Sequence, residues 1–140
     1  MIRISRISIL FPILILAGCA GQGVSNPGMH LSEIRSDEAR IFVTRDTGFV
    51  GSAALIDVKH NGSLVSKLGA GESVSILGTI GDNTVSVNYT GMAAIGMNSP
   101  LKTVRLSEAE KVFLSITYKQ ELFSGKLRIY EVDEKDFMQR

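Results

Sequence analysis

From Arg40 to Tyr130 the apolar residues recur with a period of two, broken at short intervals by turn-forming residues, and this pattern constrains the fold more than any other feature of the chain. Successive side chains of a strand face opposite sides of a sheet, so a period of two marks half-buried strands. Ile41, Val43 and Arg45 alternate with Phe42, Thr44 and Asp46, and Asp46-Thr47-Gly48 supplies a turn. Residues 53–59 form a second strand, and Asn61-Gly62 is the strongest hairpin dipeptide in the chain. Ser63 to Leu68 then pairs back antiparallel across it. Residues 72–78 resume the alternation, Gly81-Asp82-Asn83 turns again, and Val85, Val87 and Tyr89 share a face. Strands follow at residues 102–106, 111–118 and 127–130, and the tail at 131–138 has the makings of one short closing helix.

Seven to eight short strands joined by Gly, Asn and Asp turns predict an all-β domain, an antiparallel β-sandwich or a small open barrel. No long segment after residue 40 carries a helical period, which argues against a parallel sheet with crossover helices. About 100 residues suffice to enclose one core of this kind. One cysteine excludes an intrachain disulfide framework, and a formal charge of +1 gives no electrostatic reason to expect a nucleic-acid partner.

The amino terminus is of a different kind. Arg3 and Arg6 precede an almost unbroken apolar stretch from Ile7 to Ala17, too short to span a bilayer and interrupted by Pro12. The stretch ends in Leu16-Ala17-Gly18-Cys19. Small residues before a cysteine let the chain lie extended in a peptidase groove, and the thiol is the one side chain there able to take a thioether-linked lipid. This resembles the lipobox of bacterial lipoproteins. The resemblance implies signal-peptidase recognition through Leu16, Ala17 and Gly18, removal of residues 1–18, and lipidation of Cys19, whose acyl chains anchor it to a membrane. Ala20 stands where an aspartate would retain the protein at the inner membrane, so the outer membrane, facing the periplasm, is favoured. Loss of Arg3 and Arg6 with the leader leaves a nearly neutral mature chain. Residues 19–38, glycine-rich and polar at first, read as a tether with a short helix allowed near Leu31 and Ile34. Residues 39–140 are the sandwich.

Within the domain, the run Ala-Arg-Ile-Phe-Val-Thr-Arg-Asp at 39–46 is followed by Gly51-Ser52, Val58-Lys59-His60-Asn61-Gly62, Leu68-Gly69 and Glu72-Ser73-Val74. This succession resembles an uncharacterised bacterial lipoprotein family known as domain of unknown function 2846. Gly125-Lys126-Leu127-Arg128-Ile129 and Val132-Asp133-Glu134 fit it loosely. Where that family tends to carry a Pro-Gly-x-His turn, this chain reads Ile80-Gly81-Asp82-Asn83, keeping the glycine alone. The resemblance implies a lipid-anchored β-sandwich and brings no catalytic residues with it.

Candidate chemistry is sparse. His30 and His60 are the only histidines, and no His or Cys spacing supplies the three or four ligands of a metal site. No serine lies in a Gly-x-Ser-x-Gly elbow. The acids Asp37-Glu38, Glu108, Glu110, Asp133-Glu134 and Asp136 read as solvated charges near lysines or arginines. No catalytic residue, no metal and no cofactor are expected. Residues 91–97, Gly-Met-Ala-Ala-Ile-Gly-Met, carry no charge, and flexible methionines suit adaptable contacts. Met92, Ile95 and Met97 are therefore candidate partner contacts, the alternative being that the segment folds back to plug one end of the sandwich. Arg45 stands out on an otherwise inward-facing strand, where such an arginine more often pairs with an acid at the sheet edge.

These readings converge on a membrane-anchored lipoprotein of the bacterial cell envelope. The expected role is a non-catalytic binding or interaction module, held to the membrane through the lipid on Cys19 and engaging an envelope protein. The alternatives from sequence are an enzyme or inhibitor acting on envelope polymer, and a small-ligand carrier with an apolar cavity between its sheets.

Overall fold

A computed structural model describes residues 37–48, 53–120 and 125–139. The leader residues Leu16, Ala17, Gly18 and Cys19, the tether up to residue 36, and His30 lie outside the described residues. Eight strands follow in chain order: β1 (Arg40–Arg45), β2 (Ile56–His60), β3 (Ser63–Leu68), β4 (Ser73–Leu77), β5 (Gly81–Tyr89), β6 (Leu101–Leu106), β7 (Lys111–Gln120) and β8 (Gly125–Val132). A 3-10 turn at Gly91–Ala94 precedes β6, and the helix α1 (Glu134–Met138) ends the domain. The strands form two four-stranded sheets, ordered β4-β1-β7-β8 and β3-β2-β5-β6. The molecule is a sandwich of short strands, as the alternation predicts.

The sandwich departs from a wholly antiparallel one at its centre. β1 and β7 pair in parallel, Arg40 opposite Lys111 through Arg45 opposite Ile116. Parallel neighbours need a long crossover, and here the entire second sheet and β4 lie between them in sequence. This central pair is also covered on both faces. Ile41 and Val43 join Leu114 and Ile116 in the core between the sheets, with Ile56, Val58, Leu68, Val85 and Val87 opposite. On the outer face Phe42 stacks on Phe113 at 4.9 Å between ring centres and meets Phe137 of α1 edge-on at 6.2 Å. Strict half-burial therefore fails for β1, where Ile41 to Arg45 are all buried. Sheet strands covered on both sides read as continuous apolar runs, and Ile-Phe-Val is such a run.

The hairpin at Asn61-Gly62 forms as expected, with φ of 48° and 83° and with His60 opposite Ser63. Positive φ at both central residues matches the right-handed twist of the flanking strands. The second turn lies elsewhere than the sequence suggests. Gly81, Asp82 and Asn83 already belong to β5, pairing with Leu106, Arg105 and Val104. The reversal sits just before them, because Asn83 is fully buried and its amide organises the bend. Its Nδ2 donates to the carbonyls of Thr79 and Gly81 at 2.7 and 2.9 Å, and its Oδ1 accepts from Thr79 N and Oγ1 at 3.0 and 3.1 Å. A side chain that replaces turn hydrogen bonds from inside the next strand leaves the same composition as a loop. β2 likewise starts at Ile56 rather than at residue 53.

α1 forms where the sequence places it. Asp133 caps its start by accepting from Asp136 N at 2.7 Å, and Glu134 and Asp136 sit at the positive end of the helix dipole. Phe137 is what the helix delivers to the sheet.

Candidate functional site

Two places on the sandwich gather more than packing. The first is the end where β1 finishes. Period two turns Arg45 inward after Ile41 and Val43, so its guanidinium enters the space between the sheets, where the residue is 4% exposed. Nη1 donates to the carbonyl oxygens of Ala54 and of Leu68, the latter at 3.0 Å. The guanidinium carbon lies 5.8 Å from the centre of the Tyr89 ring, within cation–π range. Tyr89 in turn meets Tyr118 edge-on at 6.5 Å. The main chain of Arg45 is tied as well, with its N–H donating to Glu72 O and its C=O accepting from Gly71 N, both at 2.9 Å. One residue thus fastens β1, the segment before β2, the end of β3 and β5.

Burial sets the electrostatics of this end. It pushes the Arg45 guanidinium below its ordinary range, opposed by Tyr89 and Glu72. It pushes the Tyr89 phenol above its ordinary range, opposed by the charge of Arg45. Arginine remains a cation throughout the accessible pH range, so the pair is a cation against a neutral phenol. The Tyr89 hydroxyl is buried and has no hydrogen-bond partner among the described residues. Arg45, Asp46, Tyr89, Thr117 and Tyr118 surround a cavity of about 30 Å³ here. That is the share of one water in the liquid and an order of magnitude below ligand pockets of roughly 300–1,000 Å³. The arrangement fits a polar plug that closes the sandwich. Carbonyls and a ring hold Arg45, and the charge of Glu72 favours its cationic form.

The second place lies along the side of the sandwich where β6 and β8 are the edge strands of their sheets. A groove of about 330 Å³ runs between Asn98, Pro100 and Leu101 on one wall and Lys126 to Tyr130 of β8 on the other. Leu101 is 63% exposed and Tyr130 43%. Asn98 ties the groove's end: its Nδ2 donates to Leu127 O and its Oδ1 accepts from Leu127 N, both at 2.8 Å. Lys102 reaches across from β6 to Glu131 of β8 at 3.6 Å.

The uncharged segment before this groove divides in two. Met97 is half-buried and, with Ala94, packs against the core, whereas Ile95 is 78% exposed. The side chain of Met92 lies outside the described residues. Met97 thus folds back on the core, as the plug alternative expects, while Ile95 stands exposed.

The remaining candidates take structural roles. His60 is the last residue of β2, and its Nε2 lies 3.0 Å from Asn83 Oδ1. Glu110 accepts from Ser107 N at 2.7 Å, as Asp133 does at α1, so these acids satisfy main-chain donors at bends. Among the described residues no three His, Cys, Asp or Glu side chains cluster in a way that would hold a metal ion. No described helix is long and apolar enough to cross a membrane. The chain matches no model of a known protein family and no curated protein sequence.

Sequence reasoning missed Asn83 and Asn98. Each sits two residues from a glycine or proline in a stretch that reads as loop, and nothing local distinguishes an asparagine that faces water from one that completes a ladder.

Proposed function

We propose that this chain is a lipid-anchored lipoprotein of the bacterial cell envelope, and that its sandwich is a non-catalytic binding module. Cys19 carries the lipid after removal of residues 1–18, and the tether lets the domain reach a partner beside the membrane. Anchoring raises the local concentration of the domain at that surface. The resemblance of residues 39–77 to domain of unknown function 2846 agrees with such a lipoprotein. The observation that supports a binding role is the open side of the sandwich, where exposed Leu101 and Tyr130 flank the groove and exposed Ile95 lies three residues before Asn98. Exposed apolar residues gathered beside a groove mark contact surfaces.

The test compares the native chain with Cys19→Ala. The native protein stays with membranes through a high-salt wash, and the variant moves to the soluble fraction or stays unprocessed without lipid. In-cell cross-linking with mass spectrometry then captures one abundant envelope protein with the anchored form alone. Membrane retention of Cys19→Ala without change of processing would refute the anchor, and equal capture by both forms would refute the role of anchoring.

A further inference from the structure

We propose that the outer edge of β8 is a docking site for an extended acidic peptide segment, which adds to the sheet as a fifth strand. The proposal deepens the binding-module reading and rests on it.

The argument begins with the two bonds to Asn98. In an antiparallel strand a residue directs its N–H and its C=O to the same side, and the side alternates from one residue to the next. Leu127 gives both groups to Asn98, at 2.8 Å each, so its main-chain groups point away from β7. By alternation Ile129 and Glu131 point the same way. β8 ends the sheet, with no neighbour on that side among the described residues. The Asn98 amide thus occupies Leu127 as one residue of an added strand would. The groups of Ile129 and Glu131 continue the same row beyond it, Ile129 within the groove and Glu131 just past its end.

Side chains decide which strand fits. Lys126, Arg128 and Tyr130 project from the outer face, and Leu127 and Ile129 from the inner one, with Leu101 on the opposite wall. Lys119 lies directly opposite Lys126 on the neighbouring strand, so the outer face carries three cations side by side. Among the described residues that line the groove, Lys126 and Arg128 are the charged ones. Opposite charges across a ladder stabilise and like charges destabilise. An incoming strand with carboxylates on its outer face and small apolar residues on its inner face meets cations at Lys126 and Arg128 and apolar side chains at Leu127 and Ile129. A second copy of β8 would instead bring two cationic stretches together, the usual device by which an edge strand avoids its own kind. Strand addition takes its affinity from the main chain and its selectivity from alternate side chains.

The experiment uses the isotope-labelled full chain in detergent micelles and an end-capped octapeptide alternating Glu and Val. Titration shifts the amide resonances of Ile129 and Glu131 and slows their hydrogen exchange. A Lys-Val octapeptide binds at least about tenfold more weakly, and N-methylation at one of the two alternate sets of peptide positions causes a similar loss while the other set is tolerated. Absence of any shift on β8 at millimolar peptide would overturn the proposal. So would equal binding by both N-methyl patterns, since main-chain pairing would then contribute nothing. Protection of Ile129 and Glu131 that grows with protein concentration alone would assign the edge to a second copy instead. None of these outcomes bears on membrane retention of the native chain, so failure here is distinct from failure of the anchor.

Discussion

Removing the guanidinium of Arg45 is the perturbation that most directly tests how the end of the sandwich is held. Arg45→Ala strands the carbonyls of Ala54 and Leu68, which now accept from a charged donor. Hydrogen bonds to charged groups contribute about 1.5–3 kcal/mol each, and the contact with the Tyr89 ring adds on the order of 1 kcal/mol. Against this, the variant no longer desolvates a cation, a cost of several kcal/mol in a protein interior. The balance is a net loss of about 2–4 kcal/mol, because the carbonyls of Ala54 and Leu68 lose their charged donor at a buried end of the sandwich. For a domain of this size each kcal/mol moves Tm by about 4–8 °C, so thermal unfolding followed by circular dichroism should show a fall of more than about 8 °C. Arg45→Met keeps the stem's packing while removing both charge and donors, and should recover part of that loss. A Tm for Arg45→Ala within about 3 °C of the native value would refute the reasoning. It would mean that the carbonyls find other partners and that the arginine is a passenger.

Tyr89→Phe keeps the ring under Arg45 and removes a buried hydroxyl that lacks a partner among the described residues, so Tm should hold or rise by a few degrees; a fall beyond about 1.5 kcal/mol would show that the hydroxyl is bonded. Because burial raises the folded-state pKa of Tyr89, its neutral form stabilises the fold below the unfolded value near 10, and that contribution is lost as pH rises through the folded value. Alkaline unfolding should accordingly set in at lower pH for the native chain than for Tyr89→Phe, and coincident curves would refute this. Asn83→Ala leaves the amide and hydroxyl of Thr79 and the carbonyls of Thr79 and Gly81 without their partner, and should cost about 2–4 kcal/mol by urea unfolding; a cost under about 0.5 kcal/mol would show that the bend holds itself. Met97→Ser should lower Tm by several degrees because that side chain packs on the core, while Ile95→Ser leaves Tm nearly unchanged; the reverse order would invert the assignment of the two residues.

The strand count was legible because each strand carries its own evidence. β3 and the hairpin before it are specified by Asn61-Gly62 and by alternation within a dozen residues, and the pairing of His60 with Ser63 follows from them. The parallel pairing of β1 with β7 has no such local source. Their partnership is set by the order in which two sheets close over one core. The only local trace is the continuous apolar run Ile41-Phe42-Val43, matched by Val112-Phe113-Leu114 on β7. Two strands with apolar residues on both faces need cover on both faces, and Phe42 and Phe113 obtain it from Phe137, some 24 residues beyond the second of them in sequence. That single aromatic in an acidic tail is why α1 belongs to the domain rather than trailing from it.

The candidate site was less legible than the fold, because the strand addition proposed for β8 would use main-chain groups. Main-chain groups are the same in every residue, so a free edge leaves no motif; its position depends on which strand ends the sheet. β8 reads in sequence as one more alternating strand, Lys-Leu-Arg-Ile-Tyr-Glu, indistinguishable in kind from β6 with Leu-Lys-Thr-Val-Arg-Leu. What separates them is that an asparagine on the approach to β6 bonds to both main-chain groups of Leu127. The uncharged segment at 91–97 drew notice for its methionines, yet Met97 turns into the core and only Ile95 of the described pair faces outward. Its larger consequence is positional: packed down by Ala94 and Met97, it delivers Asn98 to the edge of β8. Hydrophobicity in that segment therefore serves the groove by fixing where one polar side chain stands.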